Sequence, residues 1–388
     1  MNYLLAIIFI YLSFSTLYCL YFSVRSLGPL KTTSNKADHY HRIAVFIPAY
    51  KEDGVILDTA KRSLEQEYPK DRYDVIVIAD SLQDATIKEL RSLPIRVMNF
   101  FFPKSTKAKA INAAYRQLRE DYDITVILDA DNIMGKNFLK KVNHEYCKGI
   151  RVMQGQRIAK NYDTPMAILD GISEGINNNI FRKGHVASGL SSALIGSAMA
   201  FDFKLYRNYM KEIDAVGGFD KELELALLKN GHKIHYIEDA FVLDEKVSND
   251  QVFEKQRTRW IAAQIRYGMK SFGNAFMKLL STGNVDYFDK ALQFVMPPRL
   301  ILLGFLAILS VVSLFIDFSW AIAFGTALFA YVLSLILATP SWYKIKDLFK
   351  VAAHVPKSFV LMLKSVAGYK MAKTNFLHTP HQLKEQKL

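Results

Sequence analysis

The stretch TVILDADN, residues 125–132, begins as a buried strand and ends in two carboxylates. Thr125, Val126, Ile127 and Leu128 are apolar or β-branched, and Asp129 and Asp131 follow with only Ala130 between them. Two carboxylates at the mouth of a buried strand repel each other and resist burial, so positive charge is expected beside them. Two upstream runs have the same form: IAVFIPAY (43–50), followed by Lys51 and Glu52, and YDVIVIAD (73–80), ending on Asp80. Helical patterns at 54–67 and 107–119 separate the three runs. Strands alternating with helices predict an α/β fold with a mostly parallel sheet, whose ligand site lies beyond the carboxyl ends of the strands. Tyr50, Glu52, Asp80, Asp129 and Asp131 therefore belong on one edge.

The 388 residues can bury a full core and have room for more than one domain. Two cysteines, Cys19 and Cys147, exclude a disulfide framework and share no zinc-site spacing. The formal charge of +13 points to phosphate, as nucleic acid, lipid headgroup or charged substrate. More than half of it lies in 341–388, where nine lysines stand against Asp347 and Glu385 directly after the most apolar part of the chain. Lysines in that place read as lipid-facing charge. No basic motif interleaved with aromatics accompanies them, so nucleic acid is not an expected partner.

Residues 3–24 carry no charge and are long enough to span a bilayer as one helix. The missing basic start and cleavage site favour a retained anchor over a signal peptide. Arg25, Lys31 and Lys36 place its carboxyl end in the cytoplasm. The apolar segments 300–316 and 318–338 flank Asp317 and suit a membrane hairpin, with Arg299 at one cytoplasmic end and Lys344 and Lys346 at the other. The segment 345–375, interrupted by Pro356, reads as a helix pair in the membrane interface. The resulting plan is an anchor at 1–25, a soluble domain at 40–265, interfacial helices at 266–298, a hairpin at 299–339 and a basic amphipathic tail at 340–388. It describes an integral protein of a plasma or inner membrane, with its N-terminus outside and residues 25–298 in the cytoplasm.

At the end of a strand in such a sheet, an Asp-x-Asp suits a hard divalent cation completed by substrate phosphates and water. The positive charge expected at Asp129 and Asp131 is then Mg²⁺ or Mn²⁺ carrying a diphosphate; a solvated turn is the competing reading. Asp80 can accept from a base or ribose donor, or can cap the helix at 84–92. Lys104, Lys107 and Lys109 in KSTKAKAIN (104–112) can hold phosphate or simply open a solvated helix. His185, His232 and His235 share no metal-ligand spacing and read as surface or satisfied core histidines.

Downstream come GGFDKELELALLKNG (217–231) and FEKQRTRW (253–260). Taken in order with FIPAYKE, IADS and LDAD, these segments resemble the inverting family 2 glycosyltransferases of the GT-A, Rossmann-like fold. The resemblance is to the membrane-embedded branch, which includes cellulose, chitin and hyaluronan synthases and ceramide glucosyltransferase, and it covers about residues 42–265 and the flanking apolar segments. It implies that Pro48, Ala49, Tyr50 and Glu52 line the nucleotide of a sugar donor, with Asp80 on its uracil side. Asp129 and Asp131 become the metal-binding pair, Asp131 the direct ligand. Lys107 and Lys109 approach the sugar diphosphate. Gln256, Arg257, Arg259 and Trp260 cover the diphosphate and pack at the acceptor site. Asp220, eleven residues before Gly231, fits the catalytic base, with Glu222 as the alternative; Phe219 stands where relatives carry an acid, and the loop that usually precedes the acidic pair is absent. Gly189–Phe201 is either the acceptor-sugar segment or small-residue packing, and Asp244-Glu245 a polar support for the site.

The chemistry so implied is in-line displacement: a carboxylate takes the acceptor proton, metal and arginines receive the leaving nucleoside diphosphate, and an α-linked donor, expected to be a UDP-sugar, gives a β-linked product. A growing glycan, with partner subunits for export, and a lipid or lipid-carrier acceptor both account for the membrane segments, the first slightly favoured. A non-catalytic sugar-nucleotide-binding protein is the alternative of another class.

Overall fold

The computed structural model describes residues 2–30, 39–119, 121–215 and 217–369. Lys31, Lys36 and the last part of the basic tail, 370–388, lie outside the described residues.

The three expected apolar runs form strands, the third ending at Ile127, and five further strands join them. β1 (Ile43–Tyr50), β2 (Tyr73–Asp80), β3 (Arg96–Phe100), β4 (Ile124–Ile127), β5 (Ile133–Met134), β6 (Val152–Ala159), β7 (Met199–Asp202) and β8 (His235–Asp244) build one sheet in the order β3-β2-β1-β4-β7-β6-β8-β5. β3, β2, β1 and β4 run parallel, as do β6 and β8, while β7 and β5 are antiparallel to their neighbours. The near-continuous burial of β1, β2 and β4 follows from helices covering both faces.

Pro48 is tolerated in β1 for a specific reason. Leu128 donates its N–H to the Phe46 carbonyl, so Phe46, and with it Pro48 two residues on, faces the β4 side, where pairing stops at Ile127. The missing N–H of Pro48 thus falls beyond the end of β4. Lys51 (φ 55°) and Ser81 (φ 58°) turn the chain in the left-handed region directly after β1 and β2. Non-glycine residues held there are strained, and both stand at the carboxyl edge of the sheet.

Two apolar clusters fill the two faces of the sheet. A third joins the N-terminal helix Asn2–Arg25 and the helices Arg299–Ser313 and Phe318–Ala338 to Pro165–Asn178, which follows β6. The approach there is close: a Cβ on Gly184 would fall 2.2 Å from the Phe22 carbonyl oxygen, and one on Gly175 2.5 Å from the Pro340 ring.

The apolar segments depart from the expected plan in two respects. Among the described residues, two helices, Tyr3–Arg25 and Phe318–Ala338, are long and apolar enough to cross a membrane. The segment read as a span from 300 forms only the 15-residue helix Arg299–Ser313, which reaches spanning length only with Val285–Val295, from which it is bent by 57°. Pro297 and Pro298, which cannot continue a helix, stand at the break. The expected helix pair at 345–375 is instead one helix, Ile345–Ala367, running through Pro356. It packs on Asp250–Thr282, Pro165–Asn178 and Arg299–Ser313, contacts that keep it helical despite one lost backbone bond. Residue 265, taken as the end of the soluble domain, lies inside the 33-residue helix Asp250–Thr282.

Candidate active site

β4 stops at Ile127, so the two carboxylates stand on the turn that follows it. Asn132, fully buried, pins that turn: its Oδ1 accepts from the Asp129 N–H at 3.2 Å, and its Nδ2 donates to Asp131 at 3.3 Å and to Asp244 at 3.0 Å. Asp131 is 2% exposed, and its Oδ2 accepts the Glu245 N–H at 2.9 Å.

The chain itself supplies much of the positive charge expected here. Lys107 Nζ donates to Asp129 at 2.5 Å and to the Gly196 carbonyl at 2.8 Å, and the Arg157 guanidinium lies 3.8 Å from the other Asp129 oxygen. The Phe219 ring lies 5.5 Å from the Lys107 ammonium, so the residue standing in place of an acid stacks on this cation. Thr106 caps the helix Lys107–Gln117 through the Lys109 N–H and thereby aims Lys107 inward. Lys109, two residues along, is turned by about 200° and is exposed.

Behind the turn lies a buried charge cluster, of which the sequence reading named only Asp244. Arg157 pairs with Glu174 at 2.9 Å and Asp244 at 3.5 Å, Arg182 with Glu174 at 3.2 Å, and Lys246 with Asp244 at 2.6 Å. Burial alone would raise the Glu174 and Asp244 carboxyls. For Glu174, Arg157, Lys246 and Arg182 outweigh burial, and for Asp244, Arg157 and Lys246 do, so both are held below the usual range. Burial would lower Lys246, yet Asp244 and Glu174 hold it above its ordinary value. Arg157, the Glu174–Arg182 segment and the Asp244–Lys246 segment lie apart in sequence and share no motif, so only the fold assembles them.

One cavity of about 1110 Å³ collects most of the expected residues. Pro48, Ala49, Tyr50, Glu52, Asp80, Lys107, Asp129 and Asp131 line it from the sheet edge, and Gln256, Arg257, Arg259 and Trp260 from the helix Asp250–Thr282. Asp80 is buried and accepts from the hydroxyls of Ser81 and Ser105; the helix Asp84–Arg91 has Gln83 at its N-cap. Arg257 is held by Asp170 and lies between the rings of Phe253 (4.7 Å) and Trp260 (4.1 Å). Burial lowers the Arg259 guanidinium, and the charge of Asp129 opposes that shift.

Asp220 enters from the first turn of Phe219–Lys229 and faces Gly196, whose φ of +84° lets the backbone pass close by. Glu222, also two residues and about 200° further on, does not line the cavity and accepts from the Tyr267 hydroxyl at 3.1 Å. Leu194, Ile195 and Gly196 of the small-residue segment line the cavity opposite Asp220. His185 is a satisfied core histidine, stacked on Phe22 at 3.7 Å and bonded to Tyr18 and the Ile180 carbonyl.

Among the described residues, no three His, Cys, Asp or Glu side chains form a group that could hold a metal by themselves. The donor set of Asp131 and Asp129 fits a hard divalent cation that takes its remaining oxygens from substrate phosphates and water.

The site is a carboxylate turn beside fixed cations, with Asp220 on the wall of the same large cleft. Residues 41–263 match the model of the family described as "Glycosyltransferase like family 2", and the chain belongs to that family. The probable glycosyltransferase YdaM of Bacillus subtilis (strain 168) is 23% identical over 254 residues, 61% of this chain and 58% of that protein. The chain thus spans less than two thirds of this relative. The mannosyltransferase PcManGT of Pyrobaculum calidifontis, solved in complex with GDP-Man and Mn²⁺, shares the fold at a TM-score of 0.58 and 14% identity, over 96% of this chain and 99% of its own.

Proposed function

We propose that this enzyme transfers a sugar, with inversion, from a nucleotide-sugar to a lipid-linked acceptor at the cytoplasmic face of a membrane. The observation that carries the acceptor class is the two-ended cavity. Its charged end reaches Asp131 and Asp220, and its other end runs between apolar side chains such as Leu303, Leu335, Ile336 and Val355 of the flanking helices. A soluble glycan gains nothing from such a wall, whereas a hydrocarbon chain does. Two or three spanning helices also make a narrow bundle for a polymer, so the lipid arm of the two acceptors named above is preferred to glycan extension.

In this reading Pro48, Tyr50 and Asp80 receive the base and ribose, and Asp131 with Asp129 would hold Mg²⁺ or Mn²⁺. The ion, when bound, neutralises charge on the leaving diphosphate. Lys107 and Arg259 add fixed positive charge to the same group. Asp220 accepts the proton of the attacking acceptor hydroxyl, and attack opposite the leaving group turns an α-linked donor into a β-linked product. Arg25 and the lysines around 344–364 set the cytoplasmic side, with the N-terminus outside.

The test is nucleotide release by the full chain in neutral detergent with Mn²⁺, across UDP- and GDP-sugars, with a total lipid extract or with soluble oligosaccharides as acceptor. Stimulation by lipid, with label recovered in the organic phase, is expected. Stimulation by oligosaccharide alone returns the acceptor to a glycan. No release from any donor, with nucleotide bound, supports the binding-protein alternative.

A further inference from the structure

The charged and apolar ends of the cavity meet at Pro297, Pro298, Arg299 and Leu300. Lys107, Arg157, Lys246, Arg257 and Lys290 on the cavity wall each face a carboxylate. Arg299 does not. Its Nη2 donates to the Ser173 carbonyl at 2.8 Å and to the Ser173 hydroxyl at 2.7 Å, and its own carbonyl accepts from the Tyr331 hydroxyl at 3.2 Å. Among the described residues, Nη1 and Nε of Arg299 have no acceptor and no carboxylate pairs with the guanidinium. One edge of the fork is thus fixed by Ser173 while the other is left to the cavity.

A guanidinium on an apolar wall without an anion is costly, and its planar fork matches a phosphate or carboxylate with two parallel bonds. We propose that Arg299 is the anion-recognition point of the acceptor site, and that the acceptor is a lipid carrying a phosphate between its hydrocarbon chain and the group that receives the sugar. This rests on the lipid-acceptor reading above. The order along the cavity suits such a molecule: hydroxyl at Asp220, phosphate at Arg299, chain against Leu303 and Leu335. A glycerophospholipid with a hydroxylated headgroup and an isoprenoid diphosphate bearing a sugar share this chemistry.

The test is binding to the full chain in nonionic detergent, with UDP and Mn²⁺, and again GDP and Mn²⁺, present to occupy the donor end. The probes are dodecyl phosphate, dioctanoyl phosphatidic acid and farnesyl phosphate, each against its unphosphorylated counterpart, dodecanol, dioctanoylglycerol or farnesol. Phosphorylated probes should bind tenfold or more tightly, on the order of one charge-assisted bond. The preference should shrink as NaCl is raised, vanish in Arg299→Gln and survive in part in Arg299→Lys, with binding of the alcohols unchanged. The stronger of the two natural-lipid arms names the lipid class. Equal binding of phosphate and alcohol by the unaltered chain, or a preference that persists in Arg299→Gln, overturns the role of Arg299 and leaves the lipid acceptor standing. No binding of any amphiphile overturns the lipid acceptor and Arg299 with it. The salt series needs no variant to fold.

Discussion

Asp220 and Glu222 differ by two positions, and the helix that carries both separates them. Only Asp220 lines the cavity, while Glu222 accepts from Tyr267. Asp220→Asn is therefore expected to lower turnover about 10²–10⁴-fold with nucleotide binding retained, whereas Glu222→Gln should change turnover little; equal losses would exchange their roles. Asp131→Ala should abolish metal-dependent nucleotide binding, measured by titration with and without Mn²⁺. The same rotation separates Lys107 from Lys109. Position in the chain placed all four residues near the site, and helical period, had it been applied to these pairs, would have set Lys109 and Glu222 apart. The Asp-x-Asp turn, Asp80 and the Gln256–Trp260 segment were legible because each is a local pattern at the end of a recognisable element. The Arg157, Glu174, Arg182 and Lys246 cluster was not, because each member is an ordinary charged residue until β6, β8 and two helical segments bring them together. Asn132 carried one usable signal, its place directly after LDAD.

That cluster links helix Pro165–Asn178 to strands β6 and β8, and its energetics belong to the elements it joins. Removing one partner from a buried network leaves an uncompensated charge, so Glu174→Gln should cost about 3–5 kcal/mol of stability. With the folded Glu174 carboxyl held low, its contribution is complete above the unfolded value of about 4.3 and is lost as pH falls through the folded one. The melting temperature should therefore drop on acidification below about pH 4.3, and the drop should be smaller in Glu174→Gln. Gly196 sets a different constraint, since its positive φ carries the chain past Asp220. Gly196→Ala is expected to cost about 1–2 kcal/mol and to lower turnover as well, read from denaturant midpoints and initial rates. Strands β1, β2 and β4 were predictable to within a few residues because their apolar runs are continuous, whereas β3, β5, β6, β7 and β8 were not read as strands. The helices near the membrane were less so: hydropathy alone could not reveal that the chain from 285 bends at Pro297–Pro298, nor that neighbouring helices keep Ile345–Ala367 continuous through Pro356.

The apolar helices share a core with the helix Pro165–Asn178, and the cavity is walled by them and by the sheet edge. Narrowing the apolar end should then separate two activities. Leu335→Trp is expected to suppress transfer to lipid while leaving slow hydrolysis of the bound donor intact, measured as nucleotide release with and without lipid. If both fall together, the substitution has disturbed the charged end as well.

The helix Ile345–Ala367 supplies part of the cavity wall, through residues such as Leu348, Val351 and Val355, yet it is made after every other element described here. During synthesis the Asp-x-Asp turn, Asp220 and the arginines all leave the ribosome before that wall exists. A chain stopped before this helix would have the cavity open along one side. A wall of the cavity is thus the part of the described fold that is made last.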